Sequence, residues 1–144
     1  MTTIAYDGKT LCADRQCTIN NSRTVEVTKI FTLEHNDCFQ AIGFSGNIDA
    51  LSKVIKKLDN NNYEFEREAD DFTALLIDHA GTPWIIEKEG EVLAVDIPWA
   101  IGSGSGYAHG AMLGGCTAMK ALQIASILDV QTGLGIDEIK IVTN

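Results

Sequence analysis

Two short apolar runs flank Asp7-Gly8 at the start of the chain: Thr3-Ile4-Ala5-Tyr6 before it and Thr10-Leu11-Cys12-Ala13 after it. An Asp-Gly pair between alternating, β-rich segments signals a hairpin, because both residues tolerate the positive φ that tight turns demand. The first strands are therefore expected as antiparallel neighbours, with the N-terminus held in a sheet. The second run ends in the polar cluster Asp14-Arg15-Gln16. A hairpin returns that cluster, and Asp14 in particular, towards the residues with which the chain begins.

One of those residues is Thr2, directly behind Met1. Methionine is usually removed before a residue as small as threonine. Thr2 would then carry a hydroxyl and a free α-amine together. An α-amine titrates at about 7.7–8.0, so near neutrality a sizeable part of it is unprotonated and can act as a base. Threonine with its own amine is a self-contained nucleophile and base. Many proteins begin Met-Thr, so position alone does not assign this role.

Further along, Thr24–Leu33 reads as one strand, with Val25, Val27, Lys29, Phe31 and Leu33 on one face by period two. A lysine in the middle of an apolar face is unexpected. It is either an edge lysine that snorkels outward or a buried ammonium held by a carboxylate such as Asp14. Cys38–Gly46 reads as a strand running into glycine. From there Asn47 caps a helix whose apolar side is Ile48, Leu51, Val54, Ile55 and Leu58. Phe72–Asp78, Trp84–Glu87, Val92–Val95 and Trp99–Ile101 form a meander of short strands. Tyr107–Leu128 is helical, divided by Gly114-Gly115, and the second piece has an apolar stripe of Ala118, Leu122, Ala125 and Leu128. Ile139–Val142 closes the chain as a strand. This order suits an α+β fold in one domain, residues 1–144, with helices outside two sheets: a four-layer αββα sandwich.

Several chemistries are disfavoured. A net charge of −9 argues against nucleic acid or an anionic membrane as partner. No apolar run nears the roughly 18 residues of a membrane span and no signal peptide is read before the first strand, so the expected compartment is the cytoplasm. Cys12, Cys17, Cys38 and Cys116 have neither zinc-site nor disulfide-framework spacing and read as reduced, mostly buried apolar residues. His35, His79 and His109 lack metal-ligand spacing and read as surface or loop residues, so neither a metal nor a cofactor is expected. Gly102-Ser103-Gly104-Ser105-Gly106, between a strand and a helix, could cradle an anion. It lacks the lysine and the spacing of nucleotide-binding loops.

Taken together, Met1-Thr2-Thr3-Ile4, Ala13-Asp14-Arg15-Gln16, Thr28-Lys29-Ile30, Gly43-Phe44-Ser45-Gly46 and Ile101-Gly102-Ser103-Gly104 resemble proteasome β-subunits, and especially the bacterial HslV peptidase, among the N-terminal nucleophile hydrolases. No single motif is specific; their order and spacing are. The resemblance implies the αββα sandwich of that type and a threonine peptidase with Thr2 as nucleophile. It implies Asp14 and Lys29 as a charge pair beside Thr2, Gly46 as the oxyanion-stabilising backbone N–H, and Ser103 as a supporting serine. Asp129-Val130-Gln131-Thr132-Gly133 is similar to a further family segment, which adds Asp129 and Thr132. Phe44 and Ile48 are expected to line a specificity pocket for apolar side chains. The implied substrate is a peptide or unfolded protein, and the implied partners are copies of the chain in a homo-oligomeric ring and an ATP-dependent unfoldase. The sequence departs from the pattern at Gly46-Asn47, where a glycine pair is common, and at Asn144, beyond which bacterial relatives continue. Two other readings stand beside this one: a non-catalytic assembly or binding protein of the same fold that retains Met1, and an N-terminal nucleophile amidase acting on small amides.

Overall fold

The computed structural model describes residues 2–19, 23–46, 48–65, 72–86 and 90–143. The first hairpin forms, through the three residues 7–9, with only Gly8 of the Asp-Gly pair at positive φ. Strand β1 (Thr3–Tyr6) pairs antiparallel with β2 (Thr10–Asp14), with Ala5 opposite Cys12. The Asp7 carboxylate accepts from the N–H groups of Lys9 (2.9 Å) and Thr10 (2.8 Å), and Gly8 takes φ +99°. The other Asp7 oxygen accepts from Ala118 N–H at 2.8 Å, which fastens the turn to a distant helix start.

Next come β3 (Gln16–Ile19), β4 (Arg23–Glu26), β5 (Ile30–Thr32), β6 (Phe39–Gly46) and the helix α1 (Ile48–Asp59). They are followed by β7 (Phe72–Asp78), β8 (Pro83–Ile86), β9 (Val92–Ala94), β10 (Trp99–Gly102), α2 (Ser105–Leu113), α3 (Ala118–Leu128) and β11 (Ile136–Lys140). One sheet has the order β10-β1-β2-β11, a second β5-β6-β7-β8-β9, and β3 and β4 make a two-stranded ribbon. Among the described residues all the strand pairs are antiparallel.

Among the described residues the core comprises three apolar clusters. Ile4, Tyr6, Leu11, Ile30, Leu75 and Ile77 fill the space between the two larger sheets. Ala5 and Cys12, which point the other way from β1 and β2, meet Ala108, Met112, Ala121 and Leu122 of α2 and α3. Ile42, Phe44, Leu76 and Ile86, on the opposite face of the five-stranded sheet, meet Ala50, Val54 and Leu58 of α1. Period two thus sends neighbouring residues into different clusters, and each fully buried Ile or Leu contributes about 1.5–3 kcal/mol. Tyr6 has no exposed surface, and its hydroxyl donates to Gly81 O at 2.6 Å. Burial first, then the charges of Asp7 and Asp78, push its pKa up to about 12.

The structure differs from the sequence reading at several places. Thr24–Leu33 is not one strand: β4 ends at Glu26 and β5 begins at Ile30. In the break Val27 N–H donates to Arg15 O (2.8 Å), and beyond it adjacent Lys29 and Ile30 are both buried. Strand β3 lies where polar residues suggested the end of an element. The final strand starts three residues earlier than expected, because its partner β2 extends to Asp14, which pairs with Ile136. Among the cysteines only Cys12 is buried; Cys38 is exposed, Cys17 and Cys116 are intermediate, and all four are free. Asn47, the expected helix cap, lies outside the described residues, and Leu128, expected in the apolar stripe, is exposed.

Candidate active site

Thr2 leads into β1 and is 7% exposed. Its carbonyl accepts the backbone N–H of Ser103 at 2.7 Å, and the Ser103 hydroxyl lies 3.4 Å from the same oxygen. This closeness depends on Gly102, which pairs with Thr3 and has φ +99°. A Cβ at Gly102 would collide with the Thr2 carbonyl. The next peptide N–H, that of Thr3, donates to Asp14 Oδ1 at 2.9 Å. The Thr2–Thr3 peptide is therefore held from both sides.

Asp14 has no exposed surface and Lys29 is 5% exposed. Lys29 Nζ donates to Asp14 Oδ1 at 2.8 Å and to Gln16 O at 2.6 Å. Asp14 Oδ2 accepts from the N–H groups of Gln16 (3.3 Å) and Gly133 (3.2 Å). A buried carboxylate survives only if its lone pairs are satisfied, and here three backbone N–H groups and an ammonium satisfy them. Burial lowers the pKa of Lys29, and the hydrogen bond and charge of Asp14 offset only part of that. One carboxylate oxygen thus joins a lysine that gives up its proton more readily than usual to the Thr2–Thr3 peptide. Lys29 is the buried ammonium of the two alternatives left open by the sequence.

A second network lies on the other side of Thr2. Asp129 Oδ2 accepts from the hydroxyls of Ser103 (2.6 Å) and Thr132 (2.7 Å), and Asp129 Oδ1 accepts from Gln131 N–H at 3.1 Å. Burial raises the Asp129 pKa, but the hydrogen bonds from Ser103, Thr132 and Gln131 outweigh it and hold the carboxyl below its ordinary value. Thr132 Oγ1 lies 2.7 Å from Thr3 Oγ1, which accepts Gly104 N–H at 3.0 Å. Six of the expected residues, Thr2, Asp14, Lys29, Ser103, Asp129 and Thr132, belong to these two connected sets. The N–H groups of Ser103 and Gly104 are turned to Thr2 and Thr3, so the glycine loop serves the N-terminal strand and not an anion.

Gly46 ends β6 with φ +144°, in the region that favours glycine. A Cβ on Gly43 would lie 2.8 Å from Ile4 Cγ2, and Tyr6 reaches Gly81 in the turn after Asp78, which itself pairs with Phe39. Going from Ile4 to Tyr6 thus follows β6 backwards, which leaves Gly46 at the Thr2 end. Phe44 is 4% exposed and stacks on Phe72 with ring centroids 5.3 Å apart, inside the cluster under α1. Its side chain therefore packs in the core, where a pocket wall was expected. The Ile48 side chain and Met1 lie outside the described residues.

Sequence reasoning gave no part to Thr3, Gln16 or Gly133, which supply a hydroxyl, a carbonyl and an N–H to the two networks. Thr3 and Gln16 are neighbours of residues singled out, but only the register shows which of their atoms point inward. Among the described residues no three of His, Cys, Asp and Glu are grouped to hold a metal ion. No helix among them is long and apolar enough to cross a membrane.

No family model matches the chain, and no curated protein matches it. Solved structures do. Eukaryotic HslV from Trypanosoma brucei superimposes with TM-score 0.75 at 22% identity over 98% of each chain. Thiobacillus denitrificans BPH gives TM-score 0.68 at 15% identity, covering 99% of this chain and 98% of the other. Its complex with epoxomicin gives TM-score 0.68 at 16% identity and the same coverage. The similarity spans nearly the whole of every chain compared, and the fold is that of HslV and the proteasome β type, with mixed α and β content.

Proposed function

We propose that this chain is a threonine peptidase of the N-terminal nucleophile type, cutting peptide bonds of peptides or unfolded protein once Met1 is removed. The observation that carries the reading is the double clamp on Thr2: Ser103 N–H on its carbonyl, and on the following N–H the buried carboxylate that also holds Lys29. Likeness to an epoxomicin-bound protein of the same fold supports it.

In this mechanism the free amine of Thr2 takes the proton of the Thr2 hydroxyl as Oγ1 attacks the scissile carbonyl. Lys29, held by Asp14, lowers the cost of building negative charge at that oxygen. The tetrahedral oxyanion is met by the Gly46 N–H, a donor fixed in advance by the strand that carries it. The C–N bond breaks as the ammonium of Thr2 passes its proton to the leaving amine, and an ester remains on Thr2. Water deprotonated by the same amine hydrolyses the ester and restores the hydroxyl. Ser103, Asp129 and Thr132 keep the terminus in place.

The same reading includes a single domain built as a four-layer αββα sandwich, which the three stacked clusters support. It also includes a cytoplasmic ring of identical chains served by an ATP-dependent unfoldase. Hydrolysis of a fluorogenic peptide by Thr2→Ala and Thr2→Ser variants tests the central step. Thr2→Ala should lose activity below detection, with its melting temperature within a few degrees of the parent, while Thr2→Ser retains part. Undiminished hydrolysis by Thr2→Ala would overturn the proposal.

A further inference from the structure

Strands β6 and β7 have two ends. Gly46 pairs with Phe72 at the Thr2 end, and Phe39 pairs with Asp78 at the other. The 8 residues of β6 set the two ends roughly 20 Å apart. At the Phe39 end lies a cavity of about 440 Å³, lined by the rings of Phe39, Tyr63 and Trp84. That size falls among the sites of small molecules. Asp37, Cys38 and Ala80 on its lining are exposed, so the cavity is open to solvent.

The rings are arranged and held without any ligand. Tyr63 stands at 75° to Phe39 with centroids 5.8 Å apart, and Trp84 at 78° with centroids 6.4 Å apart. Two rings thus stand nearly upright on a third. The buried carboxamide oxygen of Asn36 accepts from the N–H groups of Phe39 (2.7 Å) and Cys38 (2.9 Å) and from the Tyr63 hydroxyl (3.3 Å). Asn36 Nδ2 is fixed in turn on Leu58 O at 2.6 Å. On the other side Trp84 Nε1 donates to Asp78 Oδ2 at 3.0 Å, and Asp78 Oδ1 accepts from the N–H groups of Ala80 (3.0 Å) and Thr82 (2.8 Å). Walls fixed in this way lose little freedom when a ligand enters.

Charge selects the ligand. Asp37 and Asp78 line the cavity and no Lys or Arg does, and neither carboxylate is in an ion pair among the described residues. By contrast a cavity of about 320 Å³ along α1 is lined by Lys53, Lys56 and Lys57. A cation is drawn to the faces of aromatic rings, and more strongly once it leaves water. Asp78 already takes three N–H groups, so it offers negative charge more than it offers lone pairs. A cation without N–H groups of its own loses nothing by that. We infer that this cavity binds a small quaternary ammonium compound, its head group against Phe39, Tyr63 and Trp84 and its charge balanced by Asp37 and Asp78. The site is separate from Thr2 and does not depend on the peptidase reading.

The experiment titrates choline, and neohexyl alcohol, its uncharged isostere with carbon in place of nitrogen, into the full-length protein. Tryptophan emission and the rate of Cys38 alkylation by N-ethylmaleimide, followed by peptide mass, are read on the same samples. Choline should change the emission and slow the alkylation in a saturable way, with the alcohol binding about tenfold more weakly. Trp84→Leu should weaken choline binding about tenfold and Asp37→Asn about threefold. Asp37 is exposed, so its replacement tests the site even where Trp84→Leu lowers the melting temperature. Equal binding of choline and the alcohol would overturn the assignment to a cation. No saturable effect of choline up to about 100 mM, or unchanged affinity in both variants, would overturn the site. Cys38 that is inert in the native protein yet reacts on denaturation would mean that a second copy or another segment fills the cavity, and would overturn it too.

Discussion

Thr3 shows how much of the site depends on a residue without an expected role. Its buried hydroxyl bridges Gly104 N–H and Thr132. Thr3→Val keeps the shape and strands both partners, so it should cost about 1–3 kcal/mol per stranded group, read as a lower urea midpoint at unchanged slope. Thr3→Ala is for the same reason no neutral companion to Thr2→Ala. Lys29→Met leaves Asp14 as an uncompensated buried charge and should cost about 3–5 kcal/mol in the same measurement. Asp129 carries a pH dependence. Its pKa is lowered in the folded state, so its contribution is fully present above the unfolded value of about 3.9 and is lost as pH falls through the folded value. Stability should therefore drop below about pH 4, and Asp129→Asn should flatten that part of the curve. An unchanged acid limb in Asp129→Asn would contradict the assignment. The pairing of Asp14 with Lys29 was one of two readings that the apolar strand face left open, and only the family resemblance chose it. The atoms that complete their shell are backbone groups of Gln16 and Gly133, which carry no side-chain signal.

At the scale of elements, the first hairpin sets the rest. Its register returns Asp14 to Thr3, and β10 joins its other side with Gly102 opposite Thr3. Gly102→Ala should displace Thr2 from Ser103, both through the positive φ and through collision with the Thr2 carbonyl. The expected outcome is loss of epoxyketone labelling together with a lower melting temperature; parental labelling would show that this loop does not position Thr2. The hairpin, the β7 span and the α1 stripe were readable because turn residues and apolar period agreed there. The step between β4 and β5 was not, since Thr24–Leu33 alternates well enough for one strand and only tertiary bonds, Val27 to Arg15 and Lys29 to Asp14, break it. Phe44 was misplaced for a related reason: period two says which residues share a face, but not whether that face meets a helix or a substrate.

Over the whole molecule the charged residues are unevenly spread between the two helical faces. The helix on the five-stranded sheet carries Lys53, Lys56 and Lys57 with Asp49 and Asp59, while the pair on the four-stranded sheet is nearly uncharged and close to Thr2. Between them the apolar clusters hold the two sheets so that Gly46, at the end of β6, lies towards the Thr2 end of β1. The mixed α and β content was accessible from the order of elements; the pairing order of the strands was not, because it depends on tertiary contacts that no local pattern carries. The account stands or falls on whether Thr2 becomes a free terminus able to react. The direct measurement is the intact mass of the purified protein before and after incubation with a peptide epoxyketone, which needs both the hydroxyl and the amine of a terminal threonine to close its ring adduct. The expected result is a chain lacking Met1 that gains one adduct. A chain that retains Met1 and gains none would contradict it.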